Sequence, residues 1–160
     1  MNYKMVRDGA IKPSKRLEDA GYDLYGVDCD ELRAKEYIID KIQEEKDRGD
    51  KEAMYRFPAG EVVMIPTGLC TEIAPGVVGI VKERGSTGSK GLAVRCGVID
   101  SGYRGEWFIG IVNVGNEDVY YPVKKAIAQV VFVKYESPEW EEGELSGSER
   151  GEGKLGSSKK

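Results

Sequence analysis

The chain has 160 residues, a formal net charge of −4 and no histidine, and it is long enough for one domain with its own hydrophobic core. The lack of histidine excludes Ser-His-Asp and Cys-His nucleophilic sites and most zinc sites, and the net charge argues against broad binding to a nucleic-acid backbone. The apolar runs are too short to span a bilayer, no signal-peptide core is present, and the three cysteines lack paired spacing. We therefore expect a cytoplasmic protein with no membrane or nucleic-acid partner.

The segment DELRAKEYIIDKIQEEKDR, residues 30–48, has a helical period that the rest of the chain lacks. Its apolar residues fall roughly on one face and are Leu32, Ile39 and Ile42. Asp30 can cap the start of such a helix, and Gly49 can end it. We expect an amphipathic helix within an insertion over about residues 29–55, where it covers a sheet edge or binds a protein partner.

Further along the chain, short apolar runs alternate with turns that contain Gly, Pro and Asn. Regularly spaced runs of this kind are typical of an all-β barrel or sandwich. The runs are Val62–Ile65, Leu69–Ile73, Val77–Val81, Trp107–Val114 and Ala126–Tyr135. We expect them to build one β-barrel domain over residues 1–135.

The loop ERGSTGSKGL, residues 83–92, follows a predicted strand and combines glycines, hydroxyls and an arginine. Glycines let backbone N–H groups converge on phosphate oxygens, and the Arg84 guanidinium and the Ser86 hydroxyl can add hydrogen bonds to them. The loop lacks the spacing of a Walker A motif. Such a loop is typical of phosphate binding, and equally of a Gly/Ser turn between two strands.

The segment GVIDSGYRGEW, residues 97–107, predicts a β-hairpin with a polar tip, in which Asp100 ends one strand and Tyr103 starts the next. Backbone groups at such a strand end can read a pyrimidine, because uracil O4 accepts a hydrogen bond where cytosine N4 donates one. Tyr103 can stack on a sugar, and Asp100 can bond its hydroxyl or a water. A plain hairpin with an exposed acid and a packing tyrosine is the alternative.

The end of the chain differs from the rest in charge and composition. Residues 136–149 carry six acidic side chains and no basic one, and residues 150–160 carry four basic side chains and one acidic. Because this stretch is also rich in Gly and Ser, it cannot build a core. We expect a mobile arm over residues 136–160 that is either disordered or a lid that closes on an anion.

Taken in order, these stretches resemble the five motifs of the trimeric dUTPase (deoxyuridine 5'-triphosphate nucleotidohydrolase) family. AGYDLYGVD, residues 20–28, is similar to the first motif, ERGSTGSKGL to the second and GVIDSGYRGEW to the third. AIAQVVF, residues 126–132, is similar to the fourth, and ERGEGKLGSS, residues 149–158, to the glycine-rich fifth. The resemblance implies a jelly-roll-like β-barrel or β-clip subunit of a homotrimer, with active sites shared between subunits.

The resemblance also implies hydrolysis of dUTP to dUMP and pyrophosphate, which limits uracil in DNA and supplies dUMP for thymidylate synthesis. It implies that Asp100 orients the attacking water and bonds the 3′-hydroxyl. It implies that Asp23 acts through the waters around Mg²⁺, and that this ion is bound through substrate phosphates and water. The residues implied for base and sugar are Gly97, Val98, Ile99, Asp100 and Tyr103. Those implied for the phosphates are Arg84, Gly85, Ser86 and Gln129, and those for the lid are Arg150, Leu155, Gly156, Ser157 and Ser158. Gly85 stands where the family usually has serine, and Leu155 where it usually has an aromatic residue.

Two other functions stay open at this point. Deaminases of dCTP share the fold and much of the second and third motifs, but they need a carboxylate near cytosine C4. Their glutamate corresponds to Gly110, and Glu106 lies one turn earlier. The third candidate is a regulatory protein in which nucleotide-dependent ordering of the tail accompanies partner binding through the predicted helix.

Overall fold

A computed structural model describes residues 1–42 and 51–152, and within these ranges the chain forms twelve strands and two short helices. The strands are β1 (Asn2–Met5), β2 (Tyr22–Leu24), β3 (Ile38–Ile42), β4 (Lys51–Phe57), β5 (Val62–Pro66), β6 (Leu69–Glu72), β7 (Val77–Glu83), β8 (Leu92–Arg95), β9 (Val98–Ile99), β10 (Phe108–Asn113), β11 (Val119–Pro122) and β12 (Ala128–Lys134). The helices are α1 (Asp30–Ala34) and α2 (Gly85–Gly88). Over the same ranges, no helix has the length and apolar content needed to cross a membrane.

The strands pair into small antiparallel sheets that share one core. The described strand orders are β1-β6, β5-β10-β8, β11-β4-β3 and β2-β12-β7-β9. Strands that follow each other in the chain commonly lie in different sheets, as in jelly-roll-like barrels. The all-β prediction is confirmed, and each of the five predicted runs is a strand whose ends lie within two residues of the expected ones.

The core is built by the period-2 alternation of the strands. In β10, Ile109 and Ile111 are buried, whereas Phe108 is 40% exposed on the opposite face. The neighbouring Trp107 and the β4 residue Phe57 are among the largest fully buried side chains. The opposite face of β10 is only partly open to solvent, because Gly110 and Val112 on it are buried.

Asn113 is a buried polar side chain that joins three parts of the chain. Its amide nitrogen donates to the carbonyl oxygens of Phe57 at 2.9 Å and Glu117 at 2.7 Å. Its amide oxygen accepts a hydrogen bond from the Gly115 backbone at 3.0 Å. Because these bonds satisfy the side chain, Asn113 links β4 to β10 at little cost for its burial.

The helix predicted over residues 30–48 is confirmed only for Asp30–Ala34 and is wrong over residues 35–42, while residues 43–48 lie outside the described residues. α1 covers Asp30–Ala34 only, and the chain then forms β3, which runs antiparallel to β4. Glu36 interrupts the helix because its φ of 57° is left-handed. The β-branched residues Ile38 and Ile39 then favour an extended backbone.

The apolar helix face expected for a protein partner is not formed either. Leu32 is buried on α1. On β3 the buried residue is Ile38, which lies opposite Tyr55, while Ile39 is half-buried on the other face. Leu32 and Ile38 therefore serve the core of the same chain.

The predicted ends of the helix differ as well. The N-cap is Cys29, so Asp30 lies in the first turn and does not cap it. Gly49 lies outside the described residues. In its described part, the insertion expected over residues 29–55 consists of α1, β3 and most of β4.

We expect Phe57→Ala to lower the free energy of unfolding by about 3–5 kcal/mol, because the substitution leaves a cavity in the core. Val114→Ala is the control, since the Val114 side chain is 64% exposed, and it should change stability by less than about 0.5 kcal/mol. Urea unfolding at one fixed protein concentration measures both. Equal and small effects would contradict the burial of β4 in the core.

Candidate functional site

A polar cavity of about 750 Å³ lies against the solvent face of the sheet β2-β12-β7-β9. We call it the Arg84 cavity. The residues that line it include Asp23, Lys82, Arg84, Gly85, Ser86 and Gln129. All four phosphate residues expected from the sequence are in this set, together with the expected acid of the first motif.

Strand register aligns three of these side chains. Gln129 on β12 lies opposite Asp23 on β2 and opposite Lys82 on β7. Directly opposed residues of antiparallel strands point to the same face. Asp23, Gln129 and Lys82 therefore form one row across three strands, and the amide of Gln129 also donates to the Glu83 carbonyl at 2.9 Å.

Arg84 follows β7 and reaches across the row to Asp23. Its Nε donates to Asp23 Oδ1 at 2.7 Å and its Nη2 to Asp23 Oδ2 at 3.1 Å. Its Nη1 donates to Ser86 Oγ and to the Ala126 carbonyl, both at 3.2 Å. This two-point pairing fixes the plane of the guanidinium.

The backbone that carries Arg84 is held by Thr87. The Arg84 N–H donates to Thr87 Oγ1 at 3.0 Å, and Thr87 Oγ1 donates to the Arg84 carbonyl at 3.1 Å. Thr87 is fully buried under the single turn α2. Gly85 is exposed, and no heavy atom lies within 4 Å of the place that a Cβ would take there. The turn therefore has room for a side chain at this position.

Three basic residues of the cavity have no place in the motifs and were missed in the sequence. Lys15 Nζ donates to three carbonyl oxygens, including that of Asp19 at 2.8 Å, and so shapes the loop before β2. Arg16 pairs with Asp19 at 3.1 Å, and this partner lowers the pKa of Asp19. Lys82 pairs only with Glu83, at 3.4 Å, among the described residues. The signal for Lys82 is its position two residues before Arg84, because β7 and the extended backbone at Arg84 direct alternate side chains to the same face.

The hairpin predicted over residues 97–107 is wrong, because the two strands that flank it do not pair. β9 pairs with β7, whereas β10 pairs with β5 and β8. The segment turns where Tyr103 N donates to the Asp100 carbonyl at 3.1 Å. The backbone N–H of the buried Trp107 then donates to the Leu69 carbonyl at 2.8 Å. Directly after Trp107, the chain enters β10 in the sheet β5-β10-β8. We call residues 97–107 the Asp100 loop.

The start of this loop offers free backbone groups. β9 is an edge strand, and Gly97 accepts a hydrogen bond from Val81 N at 2.7 Å. A Cβ at Gly97 would lie 2.5 Å from the Val81 carbonyl oxygen, so only glycine allows this approach. Since alternate residues of a strand direct their backbone groups to opposite sides, the N–H and C=O of Val98 point to the free edge. Ile99 is buried and anchors the strand.

Asp100 and Tyr103 are both accessible but differ in how they are held. Asp100 is exposed, and its carboxylate has no hydrogen bond or ion pair with the described residues. Tyr103 is 44% exposed, and its hydroxyl donates to the Glu106 carbonyl at 2.9 Å. The phenol end of its ring lies close to Gly105, where a Cβ would be 2.7 Å from Cζ. The carboxylate is thus free, and the ring has a fixed direction.

The Asp100 loop and the Arg84 cavity lie at opposite ends of β7. Ile99 lies opposite Gly79, so Asp100 is level with the start of β7, while Arg84 follows its last residue. At about 3.3 Å per residue, the two side chains are about 20 Å apart along the strand. Asp100 and Tyr103 do not line the cavity. One subunit therefore does not bring the two groups of predicted site residues together.

The residues expected in the lid are largely outside the described part of the chain. Arg150 is exposed and makes no hydrogen bond or ion pair with the described residues. Leu155, Gly156, Ser157 and Ser158 lie outside the described residues. Their role stays a prediction.

The carboxylates that line the Arg84 cavity are Asp19 and Asp23. Over residues 1–42 and 51–152, no group of three or more His, Cys, Asp or Glu side chains is placed to hold a metal ion. Asp23 already accepts two bonds from Arg84. These donors suit a cation that keeps most of its water shell and takes its other ligands from a bound phosphate.

The chain is similar to several known proteins. A family model described as dUTPase matches residues 51–159. The deoxyuridine 5'-triphosphate nucleotidohydrolase of Solibacter usitatus is 36% identical over 107 residues, which are 62% of this chain and 69% of that protein. The protein of the same name from Clostridioides difficile is 32% identical over 167 residues, covering 98% of this chain and 96% of that protein. The structure of the Staphylococcus bacteriophage 80alpha dUTPase with dUPNHPP has a TM-score of 0.70 and 25% identity, covering 99% of this chain and 97% of that chain.

We expect Arg84→Gln to weaken the binding of inorganic triphosphate by about tenfold to a hundredfold, because a hydrogen bond to a charged group contributes about 1.5–3 kcal/mol. Arg56→Gln is the matched control, since Arg56 pairs with Asp118 and is 31% exposed, against 30% for Arg84. Arg56 does not line the cavity, so its variant should bind triphosphate as the unchanged protein does. Isothermal calorimetry measures both affinities. The assignment of the cavity is wrong if the two variants bind equally well.

Proposed function

The chain belongs to the dUTPase family, and from this premise we propose that it hydrolyses dUTP to dUMP and pyrophosphate. The observation that carries the proposal is the Arg84 cavity, where Arg84, Asp23 and Gln129 meet from three adjacent strands. The relatives described above carry the name deoxyuridine 5'-triphosphate nucleotidohydrolase. The division of roles below is our proposal for this chain.

The phosphates are assigned to the Arg84 cavity. Arg84, Ser86 and Gln129 present donors there, and the backbone at Gly85 is exposed. Lys82 adds a cation in the same row as Gln129. A triphosphate needs several donors and positive charge because three groups carry its negative charge.

The base and the sugar are assigned to the Asp100 loop. The free edge at Val98, flanked by Gly97 and Ile99, can read uracil through backbone N–H and C=O groups. The exposed face of Tyr103 can stack on deoxyribose, where a 2′-hydroxyl would meet the ring. The fixed direction of this ring supports a role in selecting the sugar.

Asp100 is assigned to the attacking water and the 3′-hydroxyl. Its carboxylate has no partner among the described residues, so both oxygens are free to accept hydrogen bonds. In-line attack on the α-phosphate depends on the position of the water and on charge neutralisation. A single carboxylate is sufficient for the first task, and the cavity cations serve the second.

Mg²⁺ is the cofactor that fits this donor set. It would be held by substrate phosphates and water beside Asp23, where it would neutralise charge on the phosphates. Because only two carboxylates line the cavity, this ion would take most of its ligands from phosphate and water. Arg84 holds Asp23 in place for it.

A homotrimer with shared active sites is the assembly we propose. The separation of about 20 Å estimated above between Asp100 and Arg84 favours a site in which one subunit supplies the Asp100 loop and another supplies the Arg84 cavity. The sheet β5-β10-β8 supports such contacts, because most of its solvent face is apolar, with Arg95 as a charged exception. Its exposed residues include Val62, Met64 and Phe108, at 49%, 41% and 40%. Apolar patches of this kind commonly mark subunit interfaces.

The C-terminal arm is proposed to close over the bound nucleotide from another subunit. Arg150 would contact the γ-phosphate, and Leu155 would cover the base in place of an aromatic ring. Gly156, Ser157 and Ser158 would approach the phosphates. Closure of such a lid excludes water and strengthens the charged contacts below it.

Deamination of dCTP is not favoured. Gly110 carries no carboxylate at the position where the deaminases have their glutamate. The carboxylate of Glu106 accepts bonds from Arg7 Nε at 2.7 Å and from Gly68 N at 2.8 Å. Because Glu106 is engaged in this way, it is not free to act as an acid or base.

We expect Asp100→Asn to lower kcat for dUTP by about a hundredfold or more, because an amide cannot accept the proton of the water. The fold and the affinity for dUTP should be kept. Asp30→Asn, at an exposed acid on α1, is the control and should retain full activity. Pyrophosphate release from dUTP, dCTP, dTTP and UTP in parallel measures rate and specificity. Full activity of Asp100→Asn would remove Asp100 from the mechanism, and ammonia release from dCTP would favour the deaminase.

Shared active sites predict complementation between two inactive variants. When Asp100→Asn and Arg84→Gln chains are mixed and assembled at random, about a quarter of the sites combine an intact loop with an intact cavity from different subunits. Co-expression with two purification tags, followed by the dUTP assay, measures this recovery. Sites contained within one subunit would give no recovery at all.

A further inference from the structure

Arg7 lies outside every motif identified in the sequence, yet its guanidinium bridges two carboxylates. Its Nε donates to both oxygens of Glu106, at 2.7 and 2.9 Å, and its Nη1 donates to Glu31 at 3.1 Å. The pair with Glu106 is the more sheltered, with side chains 26% and 15% exposed, against 67% for Glu31. Solvent and salt screen a sheltered pair less than an exposed one, so the pair with Glu106 is the stronger constraint.

Glu106 connects Arg7 to the Asp100 loop. Its carboxylate also accepts a hydrogen bond from Gly68 N at 2.8 Å. Its backbone carbonyl accepts one from the Tyr103 hydroxyl at 2.9 Å. The ring of Tyr103 is therefore tied to a backbone segment whose own side chain is held by Arg7.

Hydrogen bonds between β1 and β6 and the close approach of Gly68 fix the backbone at Arg7. Val6 N donates to the Gly68 carbonyl at 2.7 Å, directly after β1 pairs with β6. Gly68 has a φ of 66°, and a Cβ there would lie 2.6 Å from Ala10 Cβ and 3.2 Å from Arg7 Cβ. Only glycine allows the two segments to come this close. The hydrogen bonds to Glu106 and Glu31 raise the pKa of Arg7, so its guanidinium stays protonated.

We propose that Arg7 is a positioning residue that acts through Glu106 to hold Tyr103 against the sugar of the nucleotide. The inference rests on the proposed function, because it takes Tyr103 as the residue that contacts deoxyribose. Arg7 touches no substrate in this scheme. Since Glu31 lies on α1, the same guanidinium also ties the Asp100 loop to the insertion.

We expect Arg7→Gln to raise KM for dUTP about tenfold and to lower the preference for dUTP over UTP by a similar factor. Its effect on kcat should stay below about threefold, because Arg7 does not touch Asp100. Arg7→Lys keeps the charge but loses the planar fork, so it should recover part of the preference. If Arg7→Gln fails to fold by circular dichroism, Arg7→Lys is compared in its place. Steady-state kinetics with both nucleotides give these values.

Two controls separate positioning from general stability. Arg56→Gln removes an ion pair of similar exposure on β4 and should leave KM and the preference unchanged. The double variant Arg7→Gln/Glu106→Gln should lose no more preference than the worse single variant, because both changes break one link. An unchanged preference in Arg7→Gln, or additive losses in the double variant, would overturn the proposal.

Hydrogen exchange gives a readout that does not depend on turnover. In the protein without nucleotide, amides of residues 100–106 should exchange faster in Arg7→Gln, while those of β4 stay as protected as before. Unchanged exchange in the loop would refute the link between Arg7 and the loop. If the unchanged protein did not hydrolyse dUTP, the proposed function would fail, and the exchange data would still decide whether Arg7 holds the loop.

Discussion

The register of β12 between β2 and β7 is the constraint on which the candidate site depends. It places Gln129 opposite both Asp23 and Lys82. A slip of β12 by one residue would turn Gln129 into the core, away from Asp23 and Lys82, and bring buried side chains such as Val130 to the surface. Burial on the inner face therefore holds the polar row on the outer face. The core and the phosphate side of the site are two results of one strand pairing.

The Arg84–Asp23 pair sets the charge balance of this polar row. Asp23 occupies two of the nitrogens of Arg84, and Ser86 with the Ala126 carbonyl takes the third. A bound phosphate must therefore share or replace the partners that Arg84 already has. The carboxylate of Asp23 also offsets part of the Coulomb attraction between Arg84 and the phosphate. In return, the guanidinium needs little reorganisation when the anion binds. Lys82 carries the charge that Asp23 does not neutralise.

Much of the sheet could be predicted from the sequence because period-2 alternation is a local property. The strand β3 after α1 could not be predicted in this way, because its charged residues fit a helix as well as an edge strand. Which of the two forms depends on pairing with Tyr55 in β4. The Arg84–Asp23 contact spans 61 residues, and the Arg7–Glu106 contact spans 99. Motif resemblance singled out the first pair by residue type. No motif contains Arg7, so only the folded chain reveals the second pair.

The free edge of β9 has a consequence for how base specificity can evolve. At Val98 the proposed contacts to uracil come from the backbone, and the side chain, 64% exposed, takes no part in them. A point mutation changes a side chain but leaves the peptide N–H and C=O in place. Base choice is thus robust to most substitutions at this position, whereas sugar choice depends on one ring at Tyr103. Random substitutions would therefore weaken discrimination against ribose at Tyr103 sooner than discrimination between pyrimidine bases at Val98.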